Sequence, residues 1–156
     1  MNKKGKTFII LVCTMLLLSC SLGFFKENPK ETIKRELELD ASDGTVLKHM
    51  DNHGGFLGDG CSFISIRMKD RTVLKAIQGR EEWKQRPLDE TMEVLIEYIQ
   101  DDDGNPLIPE FRNGYFILMD WQDETDTPIL ERYSLNYTVG LYDSDEDILY
   151  YGRFDT

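Results

Sequence analysis

A chain of 156 residues that is 40% hydrophobic and 11% aromatic holds enough apolar surface for one modest core and not for two. Its 18 basic residues face 29 acidic ones, a net charge of −11, and a surface of that sign repels phosphate backbones. With no basic stripe and no zinc-finger spacing, nucleic acid is excluded as a partner.

The chain begins with Lys3, Lys4 and Lys6, followed by an uncharged run of twelve residues, 7–18, and then Ser19-Cys20. Basic, then apolar, then small is the order of a secretory signal. A helix needs roughly twenty residues to cross a bilayer, so this run is too short for a permanent span, and nothing of spanning length follows it. Leu17-Leu18-Ser19-Cys20 resembles the lipobox of bacterial lipoproteins, with Leu18 bulkier than the usual residue at its position. The resemblance implies a diacylglyceryl group on the Cys20 thiol and cleavage just before it. Residues 1–19 are then a lipoprotein signal peptide, 20–36 the anchor and tether, and 37–156 one domain on the extracytoplasmic face of the cell membrane. At about 0.8 kcal/mol per buried methylene, two acyl chains give a durable anchor. A cleaved signal without lipid is the alternative.

Losing the signal lysines leaves 15 basic against 29 acidic residues, a net −14. Of the three cysteines, Cys13 departs with the signal and Cys20 becomes a thioether. Cys61 is left without an intrachain partner, so no disulfide is expected and its thiol is read as part of the core.

Residues 21–36, charged and carrying Pro29, read as a spacer with some helical tendency at 31–35. Leu37 and Leu39 alternate with acids before the Ser42-Asp43-Gly44 turn, which predicts a short strand, and 45–50 predicts a second. A glycine-rich loop spans 52–60. In 62–68, Ile64, Ile66 and Met68 alternate with Ser65 and Arg67, the pattern of a half-buried strand. Asp70 is placed to cap a short helix carrying Val73, Leu74 and Ile77, with Gly79 as its stop. After Pro87, the recurrence of Leu88, Met92, Leu95, Ile96 and Ile99 is helical. The remainder, 114–121, 134–142 and 148–154, reads as a three-strand meander whose last two strands form a hairpin. The predicted class is α+β: an antiparallel sheet ending in that meander, with one or two helices packed on one face.

Chemistry-bearing residues are few. His49-Met50-Asp51-Asn52-His53 places two imidazoles four residues apart with a carboxylate between them. With Asp59, and Cys61 as a further ligand, these are the candidates for a metal site, although Met50 stands where a zincin helix needs its Glu. Gly55 and Gly60 have phosphate-loop spacing, but Cys61 replaces the phosphate-contacting Lys and a strand follows, so positive φ angles in a tight turn are the expected use of these glycines. The acidic run 143–147 alternates like a calcium loop but has Ile148 where that loop needs Gly, and a solvated turn is the simpler expectation. No nucleophile elbow is present and no cofactor is implied.

The segments 51–60, 114–116, 132–138, 149–151 and 155–156 resemble a family of small exported or lipid-anchored proteins of Gram-positive, clostridia-like bacteria, a resemblance that brings no known activity with it. In that family's glycine loop a His follows the Phe. Here Leu57 takes its place, which favours structural use of His53 and Asp59. The leading expectation is a non-enzymatic, lipid-anchored binding or accessory module whose domain is monomeric. The alternatives are a metal-dependent extracytoplasmic enzyme centred on His49, Asp51, His53 and Asp59, and an inhibitor or immunity-type lipoprotein that binds a protein with a basic face.

Overall fold

The computed structural model describes residues 28–53, 59–122 and 126–156. The signal, Cys20 and the glycines at 54, 55 and 58 lie outside those residues.

The packed domain begins earlier than the expected residue 37. Helix α1, Pro29–Glu36, starts on Asn28, whose side chain accepts the Lys30 N–H at 3.1 Å, and has Pro29 in its first turn. Glu31 near its start and Lys34 and Arg35 near its end suit the helix dipole. Ile33 and, one turn on, Leu37 are fully buried, so residues 29–36, assigned to the tether, pack into the core. The predicted strand at Leu37 and Leu39 is absent. Glu38 sits at φ +53°, which breaks any extended run, yet Leu37, Leu39 and Ala41 are all buried.

Strands β1 (Thr45–Asp51) and β2 (Gly60–Arg67) form the first hairpin, with a register shift between Val46 and Lys48. Helix α2, Thr72–Gln78, buries Val73, Leu74 and Ile77 and stops at Gly79, while Asp70 accepts the Thr72 N–H at 2.8 Å. A two-residue strand β3, Lys84–Gln85, precedes a cis Arg86–Pro87 bond. Helix α3, Glu90–Glu97, begins at Asp89, whose carboxylate accepts the Met92 N–H at 2.9 Å. Then come β4 (Gly114–Asp120), a 3₁₀ turn (Ile129–Glu131), β5 (Asn136–Asp143) and β6 (Ile148–Asp155).

The fold is α+β, with six antiparallel strands in the order β1-β2-β6-β5-β4-β3, and the C-terminal meander β4-β5-β6 is contiguous within the sheet. The helices cover both faces rather than one. On one face α1, the segment 37–41 and α2 bury Ile64, Ile66, Ile117, Tyr142, Leu149 and Tyr151. On the other, α3 and the segment 107–111 bury Phe63, Phe116, Tyr137, Val139, Leu141 and Tyr150. Strand β5 is accordingly buried along nearly its whole length, as expected of a strand with apolar cover on both sides. Tyr137 ties the second layer down through a 2.7 Å bond from its hydroxyl to the Leu95 carbonyl.

Both acidic clusters fold as the expected turns. Asp101 accepts the N–H groups of Asp103 and Asn105, and Asp143 those of Asp145 and Glu146.

Candidate functional site

At one end of the sheet β1 and β6 finish where β2 begins. Asp51 pairs with Ser62 and Ser62 with Arg153, so these three form a row on the α1 face. Past Asp51 the chain folds back: the His53 N–H bonds Asp51 Oδ1 at 3.2 Å, and this local turn sets the imidazole over the row. Ring Nδ1 lies 2.7 Å from Asp51 Oδ1 and 3.1 Å from Ser62 Oγ, and Nε2 lies 3.1 Å from Asp155 Oδ2. The Ser62 hydroxyl donates to Asp51 Oδ1 at 3.0 Å. Arg153 Nε donates to the same Asp155 oxygen at 2.8 Å, and the Arg153 guanidinium stands 3.7 Å from the buried Glu36 carboxylate at the end of α1.

The result is a chain of contacts, Asp51–His53–Asp155–Arg153–Glu36, that joins the ends of two strands, the turn at His53 and a helix. Partial burial pushes the Asp51 carboxyl up, but the bonds from the His53 ring, the His53 N–H and the Ser62 hydroxyl outweigh it and hold Asp51 below the usual carboxylate range.

This arrangement limits the chemistry. Ser62, His53 and Asp155 lie in serine–histidine–aspartate order, but the nitrogen facing Ser62 is more closely engaged by Asp51, and the Ser62 proton already goes to Asp51. A nucleophilic serine needs that nitrogen's lone pair. The carboxylates also sit on opposite ring nitrogens and do not converge on one ion. Of the four candidate ligands, the structure joins Asp51 to His53. His49 is two residues back on the same strand, Asp59 is exposed, and neither makes a hydrogen bond to the cluster among the described residues. No group of three or more His, Cys, Asp or Glu among the described residues is placed to hold a metal.

Removing His53 leaves two carboxylates without the partner they share, so His53→Ala is expected to cost about 1–2 kcal/mol. His49→Ala should stay within about 0.5 kcal/mol. Urea denaturation of both variants checks this ranking, and equal midpoints would contradict the bridge.

Cys61 is buried beside the cluster, with its N–H bonded to Asn52 Oδ1 at 2.6 Å. Burial, with the Asp51 charge adding to it, pushes its thiol up to about 11. The native thiol should therefore resist an aromatic disulfide reagent at pH 8 and react fully in denaturant. Labelling at the rate of a free thiol would show it accessible.

Gly60 serves a purpose other than the expected positive φ. Among the described glycines Gly104 alone has one. A Cβ on Gly60 would instead lie 2.6 Å from His53 Cα and 2.8 Å from His53 N, so the missing side chain is what lets the His53 backbone lie against the start of β2. Sequence reasoning missed Ser62, Arg153, Asp155, Glu36 and Asn52. The first of these follows from counting the 51–62 hairpin register; the pairing of β2 with β6, which brings Arg153 and Asp155, has no local signal.

No protein-family model, no curated protein and no solved structure matches this chain.

Proposed function

We propose that this chain is a lipid-anchored extracytoplasmic binding module without a catalytic centre in the His53 cluster. The observation that carries this reading is the closure of the network: each polar group of Asp51, His53 and Ser62 that a reaction would use is already bonded within the cluster. The cluster then acts as a pin that fixes the turn at His53 and α1 to the sheet. The anchor rests on the resemblance of Leu17-Leu18-Ser19-Cys20 to a lipobox.

Two measurements test the two halves. Cys20→Ala should abolish incorporation of labelled fatty acid and leave the chain uncleaved or released to the medium, and continued acylation would remove the anchor. A fluorophosphonate probe should leave Ser62 unlabelled. Labelling that disappears in His53→Ala would replace this reading with that of a serine hydrolase, which the two 3.1 Å contacts of the His53 ring to Ser62 and Asp155 would then explain.

A further inference from the structure

On the face of the sheet opposite the His53 cluster, a groove of about 520 Å³ opens between α3 and the segment 106–112. That volume lies within the range of small-ligand sites, about 300–1,000 Å³. Its floor is apolar: Leu88, Ile108 and Phe111 belong to the second core layer, and Ile96 is half-buried beside them.

Two guanidiniums line the groove. That of Arg86 lies 4.4 Å from the centroid of the Phe111 ring, and Arg112 is exposed one residue further on from that ring. Among the described residues neither makes an ion pair. In a chain with 29 acidic residues against 18 basic, two guanidiniums without carboxylate partners beside an apolar floor are matched to an anionic group brought by a ligand. The rim restricts which anion. Glu93 and Glu97, one turn apart on α3, and Glu110 add three carboxylates, so a multiply charged anion is repelled. A ligand with one carboxylate, one cationic group and an apolar body between them complements the whole groove.

We propose that the groove binds short zwitterionic peptides ending in an apolar residue. The terminal carboxylate is taken by Arg112 and Arg86, the last side chain lies on Ile96 and Ile108, and the peptide's cationic group faces Glu93 and Glu97. This names the ligand class of the binding module proposed above and rests on that reading.

Titration calorimetry of the full chain in detergent with the tripeptide Lys-Ala-Phe tests it. Saturable binding is expected, weakened at least tenfold by amidation of the peptide's C-terminus and at least tenfold by Arg112→Gln. The amidated peptide should bind the parent and Arg112→Gln equally, because its partner for that guanidinium is gone. Inorganic phosphate should not compete. Absence of saturable binding at millimolar peptide, unchanged affinity in Arg112→Gln, or competition by phosphate would each overturn the proposal. Failure to bind with Ser62 inert to fluorophosphonate removes the peptide groove and leaves the non-enzymatic reading in place, whereas labelling of Ser62 removes that reading on its own.

Discussion

Gly114→Ala is expected to lower stability by about 3 kcal/mol, the upper part of the range for forcing extra atoms into a packed interior. A Cβ at Gly114 would run into the Tyr142 carbonyl oxygen on the neighbouring strand and come within 2.8 Å of the Phe111 ring. The ring can turn aside, but the carbonyl belongs to the β4–β5 ladder and moves only if the strands part. Gly60→Ala meets the same obstacle in the backbone of His53 and should also destabilise. Gly79→Ala is the internal control. Its φ of −86° suits any residue and the nearest atom to an added Cβ is 3.6 Å away, so a gain of about 0.5 kcal/mol is expected from the stiffer unfolded chain. Urea denaturation of the three variants decides the matter, and a Gly114→Ala midpoint equal to that of Gly79→Ala would refute the close approach.

Ile33→Ala carries an expected loss of similar size, about 3 kcal/mol. Ile33 is fully buried among Leu37, Leu39 and the residues of the α1 face, and truncation leaves a cavity that the sheet cannot close. The same reasoning separates two shortened chains. One beginning at Asn28 keeps α1 and the Glu36–Arg153 contact and should melt like the parent, while one beginning at Glu38 loses Ile33, Leu37 and that contact and should be severely destabilised. If α1 were a spacer, both chains and Ile33→Ala would unfold with the parent's midpoint.

The difference between these two readings of α1 shows where the sequence is legible. Strands β1, β2, β4, β5 and β6 announce themselves by alternation or by an apolar run, and α2 and α3 by helical spacing, because each buries several side chains in a repeating pattern. Helix α1 has eight residues and one large apolar side chain, Ile33, so no period can be counted, and its cap at Asn28-Pro29 is the clearer sign. Leu37 and Leu39 do mark burial, but the left-handed Glu38 between them turns alternation into a bend. The second covered face was readable in principle from Tyr137 to Tyr142, a run with no solvent-facing position. In the site, Asp51 and His53 stand close in sequence. Asp155 and Arg153 reach them only through the pairing of β2 with β6, a long-range choice made by the whole core rather than by any local pattern.

That pairing has a consequence for how the molecule is made. Strand β6 follows every other strand of the sheet in chain order, yet it lies between β2 and β5, near the middle of the sheet. Until residues 148–155 arrive, the chain offers a β1–β2 hairpin and a β5–β4–β3 group with no strand to join them. Contacts so distant in sequence close slowly, and here they cannot close at all on an unfinished chain. The sheet therefore closes only once residues 148–155 are present. For the export proposed above, this topology leaves the two halves of the sheet unjoined until residues 148–155 have followed.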